Sequence, residues 1–284
     1  MFASLIASIP SPSSGVFELG PLPLRAYGLL IGLGVVAGVL LAQRRWSARG
    51  GDADDMSTIA MWAVPAGLVG ARVYHVITDW RFDEGFTTLF KIWEGGLGIP
   101  GGVFAGVMAA LWVINRNGWD RASVLDAAIP GVPLAQAIGR WGNYFNQELF
   151  GRPTDLPWGL EIDAEYAEAV GHGDAETFHP VFLYESLWNF GLVGFLIWIE
   201  RTGRVRRGSL IAVYVFGYLL ARLWLETVRI DNATEIGGLR INLWMSIIGL
   251  LAAGGWLAWR GLRPADSAGD SGVEPVEVTG PVDG

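Results

Sequence analysis

Seven stretches, each near 20 residues and predominantly apolar, constrain this chain more than any other feature of its sequence. A helix needs about 20 such residues to cross roughly 30 Å of hydrocarbon. The stretches run approximately Leu22–Ala42, Ser57–Ile77, Gly98–Asn115, Val124–Tyr144, Val181–Ile199, Leu210–Val228 and Leu243–Trp259. Pro100, Pro130 and Pro133 interrupt the third and fourth. Inside a bundle, neighbouring helices or a water-filled cavity satisfy the backbone groups that such breaks release. The expected fold class is therefore an all-α polytopic membrane protein, with about seven transmembrane helices and a small extracytoplasmic head. Residues 1–263 read as one integral membrane domain, with the polar stretch of about 145–179 as the head or a lid. From Pro264 to Gly284 the chain carries five acids and no base among Gly, Ser and Pro. Such a tail cannot bury a core, and disorder is expected there.

Composition supports the membrane reading and excludes several functions. Only 17% of the residues are charged, against about 25% in an average soluble chain. The formal charge of −8 speaks against nucleic acid as a partner, because phosphate backbones need a basic face. The chain has no cysteine, which removes disulfides, thiolate metal sites and a cysteine nucleophile of its own. Basic residues set the orientation. With the N-terminus outside, inner segments hold eleven arginines and outer segments hold six basic residues: Arg25, Arg81, Lys91, Arg152, Arg229 and Arg240. The expected placement is a multi-pass protein of the cell membrane, N-terminus outside and C-terminus cytoplasmic.

A charge near the bilayer midplane costs about 2.5–3.5 kcal/mol on insertion scales, so ionisable residues inside spans are functional candidates. The run Gly139-Arg140-Trp141-Gly142-Asn143-Tyr144-Phe145-Asn146-Gln147-Glu148-Leu149-Phe150-Gly151 is the densest group. Its glycines permit close backbone approach and Arg140 offers a planar fork suited to phosphate. A helix end facing interfacial water, with Arg140 snorkelling, is the plainer reading. In the sixth span Tyr218, Arg222 and Glu226 follow i, i+4, i+8 along one helix face, with Arg229 three residues on. An Arg222–Glu226 pair accounts for two of these four; a shared polar cavity accounts for all of them. His179-Pro180 opens the fifth span, where Glu185 lies deep enough to need a partner. Tyr27-Gly28, Arg72 and His75 add polar atoms to the first two spans. The glycine-rich run Trp93–Gly102 reads equally as a re-entrant turn or a flexible outer loop.

Taken together, these residues resemble the bacterial phosphatidylglycerol–prolipoprotein diacylglyceryl transferases. The Gly139–Gly151 run matches that family's signature, and His179-Pro180 with Tyr184-Glu185, Tyr27-Gly28, Arg72, Tyr218, Arg222, Glu226 and Arg229 extend the match from about Tyr27 to Trp259. The resemblance implies transfer of a diacylglyceryl group from phosphatidylglycerol to the thiol of a lipobox cysteine in a prolipoprotein. A thioether forms and glycerol phosphate leaves. It implies Arg140 on the headgroup phosphate, Asn143 and Asn146 orienting it, and Arg222 stabilising the departing charge. Tyr27, Glu148, Gly151, Tyr218 and Glu226 complete the pocket, and Arg229 and Arg72 join the substrate-binding set. The implied partners are phosphatidylglycerol, the prolipoprotein signal peptide and membrane lipid. No cofactor or metal is implied. A chain without cysteine fits a reaction whose sulfur arrives on the substrate.

Where many family members carry a histidine, proposed as the base for the thiol proton, this chain has Pro100. Glu226, Glu148, His75 and His179 remain as alternatives, as does a thiolate stabilised by arginines without a dedicated base. A small transporter or anion channel with an arginine-lined pathway is the alternative function. Against it stand the lack of an internal repeat and the crowding of polar residues toward one side.

Overall fold

The computed structural model describes residues 8–20, 22–78, 96–231 and 235–261. A short hairpin, β1 (Val16–Leu19) and β2 (Leu22–Arg25), leads into α1 (Ala26–Ser47). The helices α2 (Ala53–Thr78) and α3 (Ile99–Arg116) follow, then α4 (Arg121–Ala128) and α5 (Gly131–Phe145). A head region contains β3 (Leu160–Glu161), α6 (Ala164–Ala169) and β4 (Thr177–Phe178). The chain returns through α7 (Val181–Arg201) and α8 (Leu210–Glu226), makes a small hairpin of β5 (Glu235–Ile236) and β6 (Leu239–Arg240), and ends in α9 (Ile241–Trp256) with a π-helical turn over Leu257–Gly261. The expected acidic tail and the segment Trp93–Gly95 lie outside the described residues.

Among the described residues, six helical stretches are long and apolar enough to cross a membrane: α1, α2, α3, α4 with α5, α7, and α9 with its final turn. The remaining expected span is α8, whose 17 residues reach about 26 Å, the short end of the spanning range. This is an all-α multi-pass membrane protein. The fourth expected span is broken at Ile129-Pro130, because proline supplies no N–H for the helix ladder. Of the glycines in the Trp93–Gly102 run, Gly96 and Gly98 precede the helix. From Ile99 onward the run is helical, with Pro100 in the first turn of α3.

Small residues explain how the helices approach. Without a hydrophobic drive in lipid, association relies on close packing at glycine and alanine. A Cβ on Gly34 or Gly38 of α1 would come within 2.7 Å of the Ala135 or Gly131 carbonyl oxygen of α5. On the α2–α3 pair, a Cβ on Gly70 would come within 2.5 Å of the Gly101 carbonyl oxygen. These two pairs, α7 on α5 and α9 on α8, make the main helix contacts, and α3 is left facing α8 and α9 across an open cleft.

The two ends of the bundle differ. At the end away from the cleft, Arg45 and Arg49 of α1 both pair with Glu200 of α7. Asp126 of α4 accepts from the backbone N–H groups of Gly208 (2.6 Å) and Leu210 (3.2 Å), satisfying donors that the start of α8 leaves open. Asp120 caps α4 through Ser123 N–H at 2.7 Å; that bond, with Arg207 beside it, holds its carboxyl below the usual range. At the other end, the expected head is a packed unit in which Phe150, Leu160, Ile162, Ala167, Phe178 and Phe182 form one apolar core. Residues 8–12 belong to it: Ile9 pairs alongside Leu160, and Tyr144 donates to the Pro10 carbonyl at 2.7 Å.

Candidate functional site

The site is built where α5, α7, α8 and α9 meet the head. Glu185, 5% exposed and one turn into α7, receives three guanidinium groups. Arg140 of α5 pairs with its Oε2, while Arg222 of α8 lies 3.5 Å and Arg229 3.9 Å from its Oε1. The last two separations are loose for ion pairs. Each guanidinium carries five donors, so most of their hydrogen-bonding capacity is left for another acceptor.

Glu226 forms the second node. Its buried carboxylate takes Arg240 Nε at 3.0 Å and Asn242 Nδ2 at 3.2 Å. Arg222 Nη2 stands 3.1 Å from the other oxygen, as an ion pair off the line a hydrogen bond needs. The i, i+4 pair read from the sequence is therefore present, and both members also reach off the helix. Asp231 closes the network by accepting from Arg229 Nε at 2.7 Å and pairing with Arg240 at 3.3 Å. Burial alone would depress Arg229, but the Asp231 hydrogen bond and the charges of Asp231, Glu185 and Glu226 keep it above its ordinary range. Burial alone would likewise raise Asp231, yet the bond and charge of Arg229 and the charge of Arg240 hold its carboxyl below the usual carboxylate range. Four arginines (Arg140, Arg222, Arg229, Arg240) meet three carboxylates (Glu185, Glu226, Asp231), an excess of one positive charge. A desolvated positive excess attracts an anion strongly.

A cleft of about 850 Å³ opens directly on these arginines. Arg140, Arg222 and Arg229 stand with Tyr218, Asn242 and Ser246 on one side. Ile99, Pro100, Val103, Phe104, Val107 and Met108 of α3 form the apolar wall opposite. Pro100, at the position where a histidine was anticipated from the resemblance, thus lines the cleft. The arrangement suits an amphiphile whose anionic part meets the guanidiniums and whose chains lie along α3.

The glycine-bounded signature supplies the rim. Arg140 Nη1 donates to Asn143 Oδ1 at 3.3 Å, and Asn143 donates to Glu148 Oε1 at 2.7 Å. Asn146 adds a weaker bond to the same oxygen at 3.4 Å. Tyr27 of α1 lies within the electrostatic reach of both Glu148 and Arg140. Gly151 is not on the cleft. A Cβ there would come within 2.8 Å of both His179 Cβ and Val228 Cγ1, so the glycine admits a three-way backbone crossing. Gly151 N–H donates to His179 O, Arg152 N–H donates to Val228 O, and Gly151 pairs with Arg229. The signature is thereby tied to the segment that carries Arg229.

Besides Gly151, two more of the residues named from the sequence lie off the cleft. Arg72 is not on the cleft; its Nη1 donates to the Gly96 carbonyl at 3.0 Å, on the α2–α3 pair. His179 does not line the cleft; its Nδ1 lies 3.1 Å from the Tyr184 hydroxyl, which also accepts from Trp158 at 3.0 Å. Burial and the nearby Arg152 charge push the His179 imidazole below its ordinary range. Conversely, Glu185, Arg240, Asn242 and Ser246 were not among the expected site residues. Glu185 carried a usable signal, a carboxylate deep in an apolar span. Arg240 read as an outer-loop arginine, and Asn242 and Ser246 are neutral residues in a strongly apolar stretch.

Comparison with known proteins places this geometry. The family model for prolipoprotein diacylglyceryl transferase matches residues 14–259. A phosphatidylglycerol–prolipoprotein diacylglyceryl transferase of Streptomyces griseus is 49% identical over 252 residues, covering 87% of this chain and 76% of the relative. One from Rhodococcus jostii is 44% identical over 297 residues, covering 96% and 83%, and one from Mycobacteroides abscessus is 45% identical over 264 residues, covering 87% and 77%. A match of this extent, over a membrane bundle with an arginine-headed amphiphile cleft, means that the chain belongs to the prolipoprotein diacylglyceryl transferase family.

Proposed function

We propose that this protein moves the diacylglyceryl group of phosphatidylglycerol onto the thiol of a prolipoprotein's lipobox cysteine. The observation that carries the reading is the convergence of Arg140, Arg222 and Arg229 on Glu185 at the mouth of the apolar cleft. The headgroup phosphate takes the guanidinium donors that Glu185 holds loosely, and the acyl chains lie against Val103, Phe104, Val107 and Met108. Asn143 and Asn146, oriented by Glu148, steady the headgroup at the rim with Tyr27. The family match favours this reading over an arginine-lined channel.

In the reaction a bond forms between the cysteine sulfur and the terminal glyceryl carbon of the lipid. The bond from that carbon to the phosphate oxygen breaks, and its electron pair leaves with glycerol phosphate. Negative charge therefore grows on a phosphate already facing Arg140 and Arg222, the setting in which preorganised donors lower a barrier most. The thiol loses its proton to water as the neighbouring guanidiniums favour the thiolate, and the phosphate monoester, with a second pKa of about 6, leaves chiefly as its dianion, so no side-chain base at Pro100 is needed. Glu226 keeps Arg222 and Arg240 in place.

The cleft end faces the outer leaflet, with the N-terminus outside and the C-terminus in the cytoplasm of a bacterial cell. Support comes from the basic residues Arg45, Arg49, Arg204, Arg206 and Arg207 collected at the opposite end. The test is purified protein with phosphatidylglycerol and a lipobox peptide, followed by mass spectrometry for the diacylglyceryl thioether. Arg140→Ala abolishes product while the protein remains folded in detergent. Wild-type protein that yields no thioether, or anion flux in liposomes without lipid chemistry, overturns the reading.

A further inference from the structure

Glu148 and Leu149 reach the site from a turn that L-residues rarely adopt. Gln147 has φ 49° and Leu149 φ 58°, both in the left-handed region. Non-glycine residues persist there only when their surroundings over-determine them. The turn carries two parts of the site at once: Glu148, which accepts from Asn143 and Asn146, and Leu149, which lines the cleft beside Arg140.

What holds the turn is the carboxamide of Gln147, itself only 5% exposed. Its Nε2 donates to Asp163 Oδ2 at 2.7 Å, and its Oε1 accepts from Asp163 N–H at 2.8 Å. A third, weaker bond runs from Nε2 to the Pro12 carbonyl at 3.4 Å. Asp163 precedes α6 yet makes no side-chain cap for that helix; its carboxylate is turned to Gln147 instead. The carboxamide thus joins three parts of the chain, namely the signature turn, the head helix and the N-terminal strip.

We infer that Gln147 and Asp163 form a positioning lock for the transferase site, in which the head holds the strained 147–149 turn so that Glu148 and Leu149 stand at the cleft rim. The inference rests on the transferase reading. Neither residue touches the reacting atoms; both act through Glu148 and Leu149. The lock predicts that site geometry and fold stability respond differently to substitution at one position. Alanine at 147 removes the lock and keeps a Cβ in the left-handed region. Glycine removes the lock but relieves the backbone.

The test measures kcat, KM for phosphatidylglycerol and thermal midpoint for Gln147→Ala, Gln147→Gly, Gln147→Glu and the double variant Gln147→Glu with Asp163→Asn. For both Gln147→Ala and Gln147→Gly, kcat falls between about tenfold and about a hundredfold, the range expected of a misplaced positioning group, and KM changes less. The glycine variant is the more thermostable of the two and no more active. Gln147→Glu sets two carboxylates against each other and loses activity. Adding Asp163→Asn reverses the donor and acceptor and restores kcat to within about threefold of wild type. The lock is overturned if both single variants keep wild-type kcat, if glycine restores activity along with stability, or if the swapped pair fails to recover. Wild-type protein that forms no thioether is a separate result, against the transferase reading itself.

Discussion

Gly142 of α5 lies flush beneath Tyr27 of α1: a Cβ on the glycine would come within 2.5 Å of Tyr27 Cδ2. The bare backbone is what lets the tyrosine ring rest on the helix that carries Arg140 and Asn143. Gly142→Ala is expected to push Tyr27 outward and lower kcat by about tenfold or more, because small misplacements in a preorganised site are costly. A lipobox-peptide assay on the alanine variant checks this. Unchanged kcat would separate Tyr27 from the site.

Glu185→Gln is isosteric, yet it removes the charge that three arginines share. The remaining guanidiniums repel one another, and a loss of about 3 kcal/mol of stability is expected from uncompensated buried charge. A bound phosphate replaces part of that charge. Phosphatidylglycerol should therefore raise the thermal midpoint of the variant more than that of wild type, since a ligand stabilises in proportion to its preference for the folded state. Equal shifts in the two proteins would show that the lipid phosphate does not reach this group.

Asp126 sits at the far end of the bundle, 6% exposed, and binds two N–H groups at the start of α8. Asp126→Ala leaves those donors buried without a partner, at a cost of about 1–3 kcal/mol. The thermal midpoint in detergent should fall while kcat at a permissive temperature stays at the wild-type value. A fall in kcat with unchanged stability would show that this end of α8 governs the chemistry.

His179 is pushed below its ordinary range by burial and by Arg152, so the unfolded chain binds the proton more readily than the folded one. Its stabilising contribution is complete above about pH 6.5, the usual histidine value. Below that value the contribution falls, until the folded imidazole also protonates. The chain has three histidines, so a ¹⁵N titration with His75→Gln and His172→Gln variants isolates the resonance. A midpoint at or above 6.5 contradicts the assignment.

The sequence displays these features to different degrees, and the reason is distance along the chain. Tyr218, Arg222 and Glu226 fall on one stripe because helix periodicity puts residues four apart on one face, and the Arg222–Glu226 pair needs nothing else. Glu185 is separated from Arg222 by 37 positions, and nothing local marks it as the common partner of Arg140, Arg222 and Arg229. The glycines at 101 and 102 mislead for a related reason. Alone they read equally as a re-entrant turn or a flexible loop, but against Gly67 and Gly70 of α2 they are the contact surface of a helix. Arg72 looked like a third phosphate ligand because charge inside a span is conspicuous, whereas its position on the α2–α3 pair depends on packing.

The N-terminal strip gives the molecule a particular order of assembly. Ser8 bonds to Glu161, 153 positions later, and Tyr144 reaches back 134 positions to Pro10. During synthesis the strip emerges before its partners: Tyr144 ends the fourth membrane stretch, and Glu161 follows it. Contacts this distant in sequence close slowly, because loop entropy must be overcome before they contribute. The head is thus a late event, completed when this early segment is recaptured by much younger residues.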